Sequence, residues 1–446
     1  MSTTQIGGTM AAKPRWSDKL PSFLRRGKVG SFLTIVMTGQ LVYASFEAFK
    51  GALMLPLQHL LGINGLQYGA LMGWIGIATF FYVPAGWLQN RFKVKTILSW
   101  CILWRLFTFA LVYLALPSYP VLVVIAITWG LSEAVVWPAV ENGVALVSRD
   151  ENTKTQGLAM GLLESVRRFA EFVMSMIVVG ALILFPDSAD TVMRVAGLAY
   201  AATLIPLLYC VHKFVPDTKT AKLEQHSDAY ASLLGLLHVM KKPRVWLAGM
   251  AALTLYWTYI NLIYCSAPYL TQVFHISEGM AGAFGSINTG FIGIIAGLVA
   301  GLIADYVFKS STKVLASALG LTVGVTAIVL LLPTGEGMLW PTMILLMVMA
   351  FATFLGKGVI LAPVAELRLP EGINGSAMSV GSFLTYASVF WAYPMNGAIL
   401  DANTPEVGYR IIFTITLVIS AVGLICGIVL LMMNKHAEQQ EAALVA

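Results

Sequence analysis

Apolar runs of about twenty residues, divided by short polar punctuation, recur along this whole chain, and that is the length a helix needs to cross a bilayer. Twelve can be counted, near 30–55, 67–89, 96–116, 121–146, 157–185 and 192–212, then 245–273, 280–304, 314–333, 341–367, 375–400 and 409–433. The 446 residues are 58% hydrophobic and only 11% charged, where a soluble domain carries roughly 25% charged residues. The expected fold is therefore all-α and integral to the membrane, with twelve transmembrane helices. Loops are short except "HKFVPDTKTAKLEQHSDAYASLLGLLHVMKKPR", between spans six and seven at the chain's midpoint. This divides the chain into a tail over 1–29, a six-helix half over 30–212, a linker over 213–244, a second half over 245–433 and a tail over 434–446.

The first 28 residues are polar and basic, and the apolar run after them is too long for a signal-peptide core. The N-terminus is expected to be retained. Cys101, Cys210, Cys265 and Cys426 lie far apart in apolar segments, without metal-ligand spacing, and read as small core residues. No metal or cofactor is expected.

Lys and Arg orient the chain. With the N-terminus inside, 21 of the 28 fall on cytoplasmic segments, while Arg194 and Arg410 sit at the outer starts of spans six and twelve. The positive-inside rule then places both termini and the linker in the cytoplasm. This asymmetry accounts for the net charge of +6 and calls for no nucleic-acid partner.

The two halves echo each other. "AGWLQNRFKVK" after span two matches "AGLIADYVFKSSTK" after span eight, setting Gly86 and Asn90 opposite Gly301 and Asp305. "WPAVE" closing span four matches "APVAE" closing span ten, and the following spans open "GLAM" and "GSAM". Parallel six-helix halves with a site between them near the midplane are a known transporter architecture. The G-x-x-x-D/N loops resemble the signature loop of the major facilitator superfamily, and the resemblance covers nearly the whole chain. Several stretches are similar to a bacterial branch associated with sulfoquinovose-type sugar-sulfonate gene clusters: "LLES-x-R", "APVAE…GSAMSVGSF", "GAILD…GYRIIF", and Lys50 six residues before "PLQ". Asn90 departs from the acidic residue usual in the first loop, and Lys93 from the usual glycine. The resemblance implies two pseudo-symmetric halves, a cavity lined by spans one, four, seven and ten, and a place in a bacterial inner membrane. A monomer surrounded by lipid is expected.

The chemistry lies in the charges left inside the spans. Basic ones are Lys50, Arg105, Arg167, Arg168 and Lys357; acidic ones are Glu47, Glu133, Glu164 and Glu171, with Glu141 and Glu366 near the inner face. Such residues turn to the bundle interior or an aqueous cavity, not to lipid. At ~1.5 Å per residue, Arg167 lies about 15 Å into span five, Glu133 about 18 Å into span four and Lys357 about 24 Å into span ten. Gln40, Tyr43, Glu47 and Lys50 step by three, four and three, forming one stripe on span one. Glu133, Trp137 and Glu141 do the same on span four, and span seven carries Trp257, Asn261 and Tyr264 on one side.

A cationic cavity favours an anion, since Arg offers a planar fork for carboxylate, phosphate or sulfonate oxygens and Lys a point charge. Lys50, Arg167 and Lys357 are the expected anion site, with Tyr43, Gln40, Trp137, Asn261, Tyr264 and Asn288 contacting the body of the ligand. A buried carboxylate can carry a coupling proton, because burial raises its pKa and a neighbouring Arg lowers it. Glu133 is the first candidate, since its own helix offers no basic neighbour; Glu164 and Glu47 follow.

Plainer readings stand beside these. Glu164–Arg168 and Arg167–Glu171 are i,i+4 pairs, so the stripe in "LLESVRRFAEF" can neutralise itself, and Arg168 and Glu171 can be structural. Glu47–Lys50 can be a structural i,i+3 pair, Arg105 a structural partner, and the aromatics helix packing. Glu141 and Glu366 beside basic loops fit an inner gate against Arg91 or Lys309, with Asp305 in the second signature loop. The expected function is secondary transport of a small organic anion, coupled to protons or run as exchange. A non-transporting sensor is the rival of another class, although no appended signalling domain is visible. An enzyme is disfavoured: no nucleophile–base pair or phosphate loop is present, and all six histidines sit at loops or span ends.

Overall fold

The computed structural model describes residues 22–25, 27–43, 46–49, 51–78, 80–81, 92–148, 154–217, 239–367 and 371–445. Every regular element among the described residues is helical. Among the described residues, eight helices are long and apolar enough to cross a membrane, including Val94–Ala115, Pro243–Cys265, Ser311–Leu331 and Leu339–Val364. The other four expected spans miss that standard for identifiable reasons.

Span one is broken. A helix over Val29–Thr38 widens into a π-wound segment over Gly39–Tyr43, tightens into 3-10 turns over Phe46–Phe49 and Gly51–Leu53, and resumes as Met54–Leu61. Gly51 takes φ +63, a left-handed conformation that glycine adopts without a Cβ penalty. The single stripe expected from Gln40 to Lys50 assumed one uninterrupted α-helix, and the change of winding ends that register after Tyr43. Span two is described as a helix over Gly65–Ile75, opened by an Asn64–Gln67 capping box. Span five, Lys154–Leu184, is continuous but carries the four charges in question. Span eleven is interrupted at Ser388, between helices over Glu371–Ala387 and Val389–Ala402.

Span eight is also π-wound twice, over Ile287–Phe291 and Ile303–Phe308. Such bulges re-aim side chains and occur often at functional sites. Span seven breaks at Ser266, between Pro243–Cys265 and Ala267–Phe274.

Helices of the two halves meet along spans two and eleven, and along spans five and eight. The first contact is glycine-mediated: a methyl group on Gly69 would run into the Tyr393 carbonyl, and one on Gly397 into the Gly65 carbonyl. At the end of this seam Asp401 of span eleven accepts hydrogen bonds from the backbone N–H groups of Gly65 at 3.0 Å and Leu66 at 2.7 Å. A carboxylate there satisfies orphan donors of the span-two N-terminus and meets the positive end of its dipole. At the opposite, lysine-rich end the ties lie within one half. Lys93 pairs with Asp217 at 2.8 Å, and Lys95 Nζ donates to the His212 carbonyl at 2.7 Å, joining spans three and six.

Candidate functional site

Three residues expected to contact the ligand, Arg167 of the anion site with Trp137 and Tyr43, converge in the N-terminal half. The Arg167 guanidinium lies 4.5 Å from the Trp137 ring and 5.5 Å from that of Tyr43. The two rings are 4.7 Å apart, so span five presents its cation to an aromatic wall built by spans one and four. Cation–π contacts of this kind contribute up to about 2 kcal/mol when desolvated. Arg167 is 7% exposed, whereas Phe169 and Ile177 on the same helix are 62% and 67% exposed. Span five thus turns its apolar side to lipid and Arg167 to the bundle. Gly39, in the π-wound segment, permits the approach: a Cβ there would already lie 3.1 Å from Val140 Cγ1 and 3.5 Å from Arg167 Cδ.

Gln40, the next residue, is fully buried. Its carbonyl accepts the Tyr200 hydroxyl at 3.2 Å, while both polar atoms of its side-chain amide lack a hydrogen-bond partner among the described residues. A buried amide left unsatisfied costs about 1–3 kcal/mol, so this one is poised to take a ligand or a water.

The C-terminal half supplies the second cation. Lys357 ends the helix Leu339–Lys357, with Nζ 3.6 Å from the Tyr259 ring centroid and 5.5 Å from that of Tyr256. The sequence reading missed both tyrosines because it assigned the inward face of span seven to Trp257, Asn261 and Tyr264. The signal was available in "YWTYINLIYC", where Tyr256 and Tyr259 stand i,i+3 apart. Nearby in span eight, Asn288 is buried, its Nδ2 donates to Ser266 Oγ at 3.2 Å, and its Oδ1 is without a partner.

Between the halves lies a small, partly open cavity of about 30 Å³. Span five lines it with Arg168, Glu171 and Ser175, span seven with Tyr259, and span eight with Ser286 and Thr289. Tyr259 thus borders the cavity and carries Lys357 on its ring. Arg168 Nη1 meets Glu171 Oε2 at 3.0 Å, and the pair remains about a quarter exposed. It is an i,i+3 pair, so Glu171 is engaged by Arg168 and not through the i,i+4 spacing that pointed to Arg167. One turn further on, the Ser175 and Ser286 hydroxyls lie 2.9 Å apart and link the halves.

Other expected site residues are used elsewhere. Glu133 Oε1 meets Arg105 Nη2 at 2.7 Å, and both side chains are sealed between spans three and four, at 4% and 0% exposure. The Arg105 guanidinium also stacks 4.7 Å from the Trp129 ring. Glu133's own helix indeed offers no basic neighbour; the cation comes from the next helix. Asn261 donates to Thr416 Oγ1 at 2.9 Å and accepts from Asn396 Nδ2 at 2.8 Å, while the Tyr264 hydroxyl donates to the Tyr393 carbonyl at 3.3 Å. Both residues bind span seven to spans eleven and twelve, and neither borders the cavity. Glu366 accepts from the Ser311 N–H at 2.5 Å and from the Thr312 hydroxyl at 3.1 Å, capping the helix Ser311–Leu331. Lys309 is exposed in a left-handed turn ahead of that helix. Lys50 and Arg91 lie outside the described residues, as do the side chains of Glu47, Glu141, Glu164 and Asp305.

Known proteins share this architecture. The sequence model of the Major Facilitator Superfamily matches residues 35–393. "Inner membrane protein YihN" of Escherichia coli (strain K12) is 23% identical over 95% of this chain and 99% of its own length. Among solved structures, a point mutant of the nucleoside transporter NupG superposes with a TM-score of 0.70 at 13% identity, over 90% of this chain and 99% of that one. A bacterial homologue of the human lysosomal transporter Spinster, inward-facing and occupied, reaches 0.67 at 13% identity, over 91% and 97% of the two chains. At such identities the structures establish the fold alone.

Proposed function

This chain belongs to the Major Facilitator Superfamily, and from that premise we propose that it moves a small organic anion across the membrane by alternating access, in symport with protons. As a member it is a multi-pass membrane transporter and not an enzyme; the cargo and its coupling are what we add. The observation that carries the reading is the pair of cations from opposite halves, Arg167 on Trp137 and Tyr43, and Lys357 on Tyr259. Each is held at a helix-lined interior by aromatic faces that also suit the body of a sugar or an aromatic acid. Gln40 and Asn288 add buried hydrogen-bonding capacity for hydroxyls. Sugar sulfonates, sugar phosphates, sugar acids and other carboxylates meet this description.

The lysine-rich end of the bundle supports an orientation with both termini cytoplasmic. Similarity to a protein named as an inner-membrane protein supports a bacterial inner membrane. Organic-anion exchange is the second reading, favoured by the sealing of Glu133 against Arg105, which withdraws one carboxylate from proton traffic.

Uptake into proteoliposomes tests the proposal, using labelled glucuronate, a hexose phosphate, a sulfonated hexose and benzoate under an inward proton gradient. One of these is expected to accumulate in wild-type vesicles, and neither Arg167→Ala nor Lys357→Ala protein, inserted at equal density, should accumulate it. Normal uptake by both variants would refute the anion site.

A further inference from the structure

We propose that Glu171, paired with Arg168, is the carboxylate that carries the coupling proton, and that the transported anion displaces it from Arg168. The inference rests on the anion-symport reading above and names the residue that reading needs. A coupling carboxylate must meet three conditions: it must touch the space the ligand enters, have a cation the ligand can compete for, and lie where the two halves move against each other.

Three ion pairs among the described residues separate cleanly on these conditions. Lys93–Asp217 lies at the lysine-rich end within one half, with Asp217 61% exposed. Arg105–Glu133 is sealed between spans three and four. Arg168–Glu171 borders the cavity between the halves, and each side chain keeps roughly a quarter of its surface open. Across the cavity stand Ser286 and Thr289 of span eight and Tyr259 of span seven. The Ser175–Ser286 bond one turn away marks the seam where the halves meet.

The charged and titratable groups around Glu171 favour the exchange. Span five itself brings Arg168 at 3.0 Å and Arg167 four residues back. Span seven presents Tyr259, which carries Lys357 of span ten on its ring. From span six, Tyr200 lies within electrostatic reach of Glu171. Span one and the lower turns of span five also carry Glu47, Lys50 and Glu164, outside the described side chains.

Before an anion arrives, the Arg168 guanidinium is paired with the Glu171 carboxylate at 3.0 Å. An entering anion takes hydrogen bonds from the Arg168 fork in place of Glu171. The released carboxylate then faces a half-buried, now anion-containing space, and it takes one proton to become the neutral acid. One negative charge and one proton enter the site together, so its net charge is conserved. Release of the anion lets Arg168 recapture Glu171, and the proton leaves on the same side. Glu133, sealed against Arg105 at 2.7 Å, takes no part.

Binding of glucuronate, a hexose phosphate, a sulfonated hexose and benzoate to purified protein, followed with a pH indicator in weak buffer, tests this. Wild-type protein is expected to take up about one proton per anion bound, and its affinity to fall as the pH is raised. Glu171→Gln should bind the same anion with no proton uptake and a flat pH profile, whereas Glu133→Gln should keep the uptake. Arg168→Gln is the second variant: with no guanidinium for the anion to take over from Glu171, binding and proton uptake are no longer linked, and the uptake is again lost. If no anion binds wild-type protein, the anion reading itself fails. Binding with unchanged proton uptake in Glu171→Gln overturns the assignment of Glu171 alone.

Discussion

A buried ion pair reveals its role by what happens when one member is removed. Arg105 and Glu133 are within 2.7 Å and shut off from solvent, so Arg105→Ala removes a guanidinium partner from a buried carboxylate and should destabilise the protein by about 3–5 kcal/mol. Replacing both residues with apolar side chains of similar size should restore most of that loss, because neither desolvated charge remains. Thermal unfolding of the single and double variants checks this; equal loss in both would make the pair's role something other than mutual neutralisation. The exposed pair behaves differently. The hydrogen bond from Lys93 holds the Asp217 carboxyl below its ordinary range. That contact contributes at pH values above the free carboxyl's pKa and fades as pH falls through the lowered one. Lys93→Ala should return the Asp217 titration to the ordinary range, as measured by carbon-detected NMR. The sequence made the charges legible because so few are tolerated in a span. It could not say which guanidinium meets Glu171, since Arg167 and Arg168 differ by a helix rotation of about 100°. The wheel was also misplaced on span seven, where Tyr259, and not Asn261, borders the cavity between the halves.

At the scale of elements, helix identity was readable from apolar length, and winding was not. The stripe on span one is periodic in sequence, yet the chain passes from α to π to 3-10 winding within it. Two glycines accompany that change: Gly39 opens the π-wound segment, and Gly51 is left-handed. The seam between spans two and eleven was likewise invisible, because Gly65 and Gly69 lie far from Gly397 in sequence and signify only when the backbones touch. A methyl group at Gly397 meets the Gly65 carbonyl, with no flexible side chain there to yield. Gly397→Ala should therefore loosen this end of the seam, as should Asp401→Ala, which strips the cap from span two. Faster amide hydrogen exchange over Gly65–Met72 in both variants is the expected result; unchanged exchange would mean the seam is held by other contacts.

Taken whole, the molecule divides its polar groups by task. The lysine-rich end is tied within one half, the opposite end is latched across halves by Asp401, and the interior holds cations on aromatic walls from both sides. This distribution suits a body that rocks about a central site. The central claim is that Arg167 and Lys357 together bind an organic anion, and ligand-dependent thermal stability tests it most directly. A ligand binding the folded protein stabilises it by RT ln(1 + [L]/Kd), about 2.7 kcal/mol at a hundredfold excess over Kd. The account predicts that at least one of glucuronate, a hexose phosphate, a sulfonated hexose and benzoate raises the unfolding temperature of wild-type protein. The same compound should leave Arg167→Ala and Lys357→Ala unshifted. An equal rise in wild type and both variants, or none in wild type with any of the four, would contradict it.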